Sequence, residues 1–390
     1  MALSGAARRA SLPAVLILAA VQFTIIVDET AVALLAPSVG RDLVLGDQAR
    51  HLLVTPFAAA FVAMLPVAVV ALRRADPPKA LPWAACAFAV SAIAGAVAPT
   101  TAALIVARAA QGATAAATTT CVLATLHLVT AGRPTRTRDF AVFSTVSGAG
   151  SIAALLVAGP LAALSWRWCF WAVAIAAVAF SLAWLAVGIT GPDQRITPED
   201  VRRHGGWRGL DWQAYAMIAA ANAVLAASVI TVSFGLQDDH SWSPIAAGLG
   251  FLPLNIAAAG GAIVVSRCST TPQSAGRLLA AGFIALVVGC STLAFASTGP
   301  AAMLVATVPI GLGIGIAFPL VNSRVLTGSE PRAIYRAAGL GIAQQAGLAV
   351  GAVVAAARSG TALAILAAVV AVGTIITASA ALSNVARTRP

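Results

Sequence analysis

The chain has 390 residues, 60% of them hydrophobic and only 9% charged, with a formal net charge of +11. Soluble domains carry about 25% charged residues, so the composition excludes an ordinary water-soluble enzyme and describes a polytopic membrane protein. The basic excess does not imply a nucleic-acid partner, because it follows membrane topology rather than one patch. Five cysteines and four histidines are scattered singly, without redox or zinc spacing. No metal site, cofactor or catalytic group is expected.

A membrane-spanning helix needs ~20 mostly apolar residues. Twelve such stretches succeed one another, at about 12–38, 51–72, 80–98, 102–128, 139–164, 168–190, 212–236, 244–266, 277–297, 300–325, 334–357 and 360–384. The first begins like a signal peptide, but its apolar run continues past any cleavage site and carries two acids, so it reads as a retained span. The longest polar connection is the middle one. It gives an expected division into a six-helix bundle at 1–190, a cytoplasmic loop at 191–211 and a second six-helix bundle at 212–390.

Lysine and arginine collect on the cytoplasmic side of membranes. With the N-terminus inside, nineteen of the 24 basic residues fall on that side and four outside, and Arg108 lies within a span. Both termini are therefore expected in the cytoplasm. The two halves echo each other faintly: 128–141 resembles 325–339, and Pro134 and Pro331 are 197 residues apart. Parallel halves of six spans, with a substrate site between them, are a recurring transporter architecture.

The first span carries Asp28 and Glu29. A charge at the bilayer centre costs ~2.5–3.5 kcal/mol on insertion scales, so an intramembrane acid marks a functional site by default. Asp28 lies ~24 Å from the inner edge of a ~30 Å core and Arg108, in the fourth span, ~9 Å from the outer edge. They share a depth and can pair if the two spans are neighbours. Glu29 points ~100° away from Asp28 around the helix. Either acid is a candidate proton carrier or cation site, and a static Asp28–Arg108 ion pair that fixes packing is the competing reading. Thr30, Gln111, Thr114, Asn222, Asn255, Asn322 and Gln344 are candidate cavity-lining groups. Polar residues in spans are more often interhelical bonds, and threonines there usually bond back to their own helix. Gly112 suits close helix approach, and Gly159–Pro160 is a device for shaping the fifth span. Trp166, Trp168 and Trp171 read as an interfacial aromatic belt. Asp238, Asp239 and His240 read as a solvated turn.

These motifs together resemble the drug:proton antiporter branch of the major facilitator superfamily, over nearly the whole chain. Asp28, Thr30, Val32 and Pro37 match its first-span pattern. Arg108, Gln111 and Gly112 match Arg-x-x-Gln-Gly in the fourth span. Gly159–Pro160 matches the fifth span and Ser165–Phe170 the segment after it, and Gln237, 247–253 and 311–319 fit in the second half. The resemblance implies an all-α membrane fold of two pseudo-symmetric six-helix bundles, here with twelve spans rather than the fourteen of better-known members. It implies proton-coupled export of small lipophilic compounds, cationic drugs or metabolites among them, by alternating access. The proton gradient is the energy source, a bacterial inner (plasma) membrane the location, and a monomer the expected form. One departure stands out. The loop after the second span normally carries Gly…Asp-Arg-x-Gly-Arg, a latch of the inward-closed state. Here it reads VVALRRADPPKALP, with Leu72 in the acidic position, leaving Arg73, Arg74 and Asp76 as candidate gating residues. A dedicated single-metabolite exporter, or a transport-inactive sensor or scaffold, are the alternatives.

Overall fold

Hydrocarbon offers no partner to a backbone N–H or C=O, so a spanning segment must satisfy its polar groups internally. The apolar runs accordingly form helices. The structure is a computed structural model that describes residues 11–45, 49–72, 75–130, 136–187, 211–269, 271–295, 299–326, 333–357 and 359–371. In chain order the helices are α1 Ser11–Asp42, α2 Thr55–Ala71, α3 Pro77–Ala96, α4 Thr101–Thr130, α5 Arg136–Leu164 and α6 Arg167–Val187. The second set is α7 Trp212–Asp239, α8 Pro244–Cys268, α9 Pro272–Phe295, α10 Pro300–Leu326, α11 Ala333–Ala356 and α12 Gly360–Ala371. A short helix, Ala49–Leu52, precedes α2. Among the described residues nine helical stretches are long and apolar enough to cross a bilayer. The shorter Thr55–Ala71, Ala149–Leu164 and Gly360–Ala371 complete the twelve. Arg73, Arg74, Pro134, Pro331 and all of the expected middle loop except Asp211 lie outside the described residues.

Packing repeats with a shift of six helices. In the first set α1 packs on α5, and α4 on both α2 and α3. In the second, α7 packs on α11, and α10 on both α8 and α9. Glycine makes several of these close contacts possible, and two of them are related by the repeat. A Cβ on Gly112 of α4 would sit 2.0 Å from the Phe57 carbonyl oxygen of α2, and one on Gly311 of α10 would sit 2.1 Å from that of Leu254 in α8. Phe57 and Leu254 are 197 residues apart, the same spacing as the sequence echo. The fold is thus two pseudo-symmetric six-helix bundles, and Gly112 serves helix packing.

The halves meet where α2 packs on α11, where the start of α8 packs on α5, and where α1 packs on α7. The face at which α1 ends, near Asp42, is called distal here, and the opposite face proximal. Two irregularities shape the distal side. The last turn of α7, Gly235–Asp239, widens to a π-helix, a form that recurs at functional sites. And α8 is interrupted at Phe251, just before Pro253. Neither was legible as a break in the apolar pattern.

Candidate functional site

Asp28 and Arg108 meet as their depths foretold. The Arg108 Nη1 donates to Asp28 Oδ2 at 2.8 Å, and both side chains are almost wholly buried, at 1% exposure for the arginine and 2% for the acid. Arg108 makes further contacts on other sides. Its Nε donates to the Leu53 carbonyl at 3.0 Å and its Nη1 also to Gln111 Oε1 at 3.1 Å, while Gln111 Nε2 donates to Asp28 Oδ1 at 3.2 Å. The guanidinium lies 4.6 Å from the Phe57 ring centroid and 5.9 Å from that of Phe170. Asp28, Arg108 and Gln111 form a closed, electrically neutral triangle inside the first bundle.

Glu29 turns the other way, as a helix dictates for the next residue. Its Oε1 accepts from Gln345 Nε2 of α11 at 2.8 Å, so this carboxylate bridges the two bundles. Its partner is a neutral amide. Gln345 is 4% exposed, and its Oε1 is buried with no hydrogen-bond partner among the described residues. The site therefore sets two adjacent acids in contrasting surroundings: one neutralised within a bundle, the other held, among the described residues, by an amide alone between bundles.

Of the other expected residues, Thr30 is half-buried on α1, and Gln344 is half-buried on α11. The neighbouring Gln345, rather than Gln344, reaches the acids. Thr114 donates to the Ala110 and Gln111 carbonyls of its own helix and shares a 3.1 Å contact with Ser91. Asn222 Nδ2 bonds back to the Ile218 carbonyl. Asn255 Nδ2 and Asn322 Oδ1 are buried without partners among the described residues, on α8 and α10, away from the two acids. Asp76 pairs with Lys79, three residues on, at 3.1 Å, and Leu72 is buried in an apolar cluster with Val15, Leu18 and Leu81.

On the distal side the bundles are fastened together. Gln237 Nε2 donates to the Leu34 carbonyl at 3.1 Å and to Ser233 Oγ at 3.0 Å. Arg41 Nη1 meets Asp238 Oδ1 at 2.6 Å. A Cβ on Gly159 would lie 2.7 Å from the Pro244 carbonyl of α8, so this glycine serves the contact between bundles, while Pro160 is exposed. Asp238 is thus part of a cross-bundle ion pair, which the reading of a solvated turn missed. Trp166 differs too. It is 3% exposed and its Nε1 donates to Asp42 at 2.9 Å, beside the 2.7 Å Arg167–Asp42 pair. It anchors the corner between α5 and α6 to α1, while Trp168 at 52% exposure suits an interfacial belt.

An apolar cavity of about 180 Å³ lies between α1, α5 and α6, with Phe23, Val27, Val157, Cys169 and Phe170 in its lining and Asp28 at its wall. Apolar cavities of ~150 Å³ hold a benzene ring.

Two six-helix bundles that meet along a seam bridged by a partly buried carboxylate define a membrane transporter rather than an enzyme. The chain belongs to the Major Facilitator Superfamily, whose family model matches residues 18–356. It is 28% identical over 356 residues to the puromycin resistance protein pur8 of Streptomyces alboniger, covering 86% of this chain and 66% of that one. It is 26% identical over 349 residues to the MFS-type transporter EfpA of Mycobacterium tuberculosis, covering 86% of this chain and 59% of that one. The chain thus spans less than two thirds of the length of these relatives. A bacterial homolog of the human lysosomal transporter Spinster, crystallised inward-facing and occupied, matches with a TM-score of 0.68 at 15% identity over 94% of both chains. That likeness shows the fold.

Proposed function

We propose that this protein is a proton-coupled exporter of small lipophilic compounds, cationic ones among them, that works by alternating access with its termini in the cytoplasm. It would act as a monomer in the bacterial inner membrane, driven by the proton gradient without a cofactor. The resistance named in one relative and the apolar cavity beside α1 support export of lipophilic molecules. The observation that carries the coupling is the contrast between the two acids.

Asp28 has a full counter-charge, held at hydrogen-bond distance with both side chains buried. Such a pair has little reason to exchange its partner during a cycle. Glu29 has only an amide, so its ionised form leaves one uncompensated negative charge at the seam between bundles. A proton or a substrate cation can each neutralise it, and neutral seams close more easily than charged ones in a low-dielectric setting. Glu29 thereby becomes the coupling acid and Asp28 a positioning residue that, through Arg108 and Gln111, holds α1 against α4.

The test is pH-gradient-driven uptake of ethidium into everted vesicles. Wild type is expected to respond to the gradient, and Glu29→Gln to lose at least ten-fold of that response. The double substitution Asp28→Asn/Arg108→Gln, which keeps the triangle uncharged, is expected to retain most of it. Coupling that survives Glu29→Gln and vanishes in the double variant would reverse the assignment. A folded wild-type protein that moves no dye would remove the broad-export reading.

A further inference from the structure

We propose that Gln345 makes the seam selective for cations that carry N–H donors, through an amide oxygen that is open while Glu29 is ionised and occupied once Glu29 takes a proton. The inference rests on the export reading and deepens it.

The donor set decides the orientation of the amide. An ionised carboxylate can only accept, so Gln345 must present its NH2 to Glu29, as the 2.8 Å Nε2–Oε1 bond shows. That leaves Gln345 Oε1 as a buried carbonyl with nothing to accept from among the described residues. A buried polar atom without a partner costs roughly 1–3 kcal/mol, and each one in a native structure calls for a reason. Here the open valence lies beside a negative charge paired only with an amide. Carbonyl oxygen and carboxylate together form an acceptor-only pair between α1 and α11. The complementary ligand is a cation with at least one N–H to place on Gln345 Oε1.

Protonation closes the arrangement. When Glu29 takes a proton, its O–H becomes a donor while its other oxygen still accepts, so the O–H donates to Gln345 Oε1 and the amide NH2 keeps its bond to the carboxyl. Oε1 is then no longer open to a substrate's N–H, and the negative charge is gone. Proton and protic cation therefore exclude each other through both charge and hydrogen bonding. The second effect is the one that discriminates among cations. The charges that act on Glu29 are those of Asp28 and Arg108, which neutralise each other. His51 stands on the short helix packed against both α1 and α11. His127, Asp139, Arg167, Asp238 and Asp239 on the other elements packed against α1, Arg324 on α10 and Arg336 on α11 itself all stand toward the helix ends. The side chain that hydrogen-bonds Glu29 is Gln345.

The experiment compares two permanent cations in reconstituted full-length protein: ethidium, which carries aromatic N–H donors, and tetraphenylphosphonium, which has none. Affinities are measured by equilibrium binding in lipid nanodiscs, in wild type, Gln345→Met and Gln345→Leu. The methionine is close in shape and keeps no amide. Both variants are expected to weaken ethidium roughly ten-fold or more relative to tetraphenylphosphonium, the worth of one charge-assisted hydrogen bond. Bound ethidium is expected to release a proton from wild type at pH values where Glu29 is protonated. An unchanged ethidium-to-tetraphenylphosphonium ratio in whichever variant folds overturns the inference. Failure of the export reading shows up separately, as a wild type that binds but does not transport under a pH gradient, and the binding ratio still decides the role of Gln345.

Discussion

At the scale of single residues, the Asp28–Arg108–Gln111 triangle is a folding element before it is anything else. Removing one member of a buried pair strands the other charge, at a cost of about 3–5 kcal/mol, whereas replacing both by apolar groups of similar size is often neutral. Arg108→Leu alone, or Asp28→Leu alone, is therefore expected to lower thermal stability in detergent sharply. Asp28→Leu/Arg108→Leu is expected to recover most of the loss. Additive losses in the double variant would show that the two charges do not depend on each other. The pair was readable from the chain because two charges in long apolar runs, at one depth on spans that the family resemblance makes neighbours, have few other places to go. The role of Gln345 was not. It is one of several Asn and Gln side chains in or near the spans of the second half, and only its bond to Glu29 of α1 distinguishes it from Gln344 beside it. Trp166 was misread for a related reason: its indole is held by Asp42, 124 residues earlier.

At the scale of helices, closeness is set by what the contacts leave out. Gly159 lets α5 lie against the start of α8 because a side chain would meet the Pro244 carbonyl. Gly159→Val places two more methyl groups beyond that Cβ, and the backbone of α8 cannot move aside as a flexible side chain could. The expected result is separation of α5 from α8 on the distal side rather than unfolding, because this close approach is a contact between bundles and the helix packing within each bundle does not depend on it. The check is the labelling rate of a cysteine placed at Ser233, which is buried at this seam, with a membrane-impermeant maleimide. Labelling should accelerate in the valine variant. The number and order of helices were legible from hydropathy and proline–glycine punctuation. The π-turn at Gly235–Asp239 was not, because one extra residue in a turn leaves no trace in an apolar pattern. Yet that turn lies where Gln237 and Asp238 meet α1.

At the scale of the molecule, the pseudo-two-fold relation explains why the distal fastening sits where it does. Arg41 and Asp238 are 197 residues apart, the spacing that also relates Phe57 to Leu254. They are equivalent positions on α1 and α7, and equivalents near a two-fold axis face each other. With like side chains such a contact would repel, so the chain carries opposite charges there. The pair is half-exposed, at 53% and 34%, and exposed ion pairs contribute only about 0.2–1 kcal/mol. Arg41→Ala is thus expected to change the ratio of distally closed to distally open molecules by no more than about five-fold. Arg41→Asp replaces attraction by repulsion and should shift it further, and Arg41→Asp/Asp238→Arg should restore much of the wild-type ratio, since opposite charges again face each other across the seam. Maleimide labelling at Ser233 reads the ratio in all three. Under the proposed alternating access, a loop after α2 with Leu72 where the family pattern has an acid, and with Asp76 paired locally to Lys79, would leave the distal ion pair a larger share of what balances the two states. Raising the salt concentration should therefore speed labelling in wild type and leave Arg41→Ala unchanged. Equal salt sensitivity in the two proteins would assign the fastening to the Gln237 bond on the Leu34 carbonyl instead.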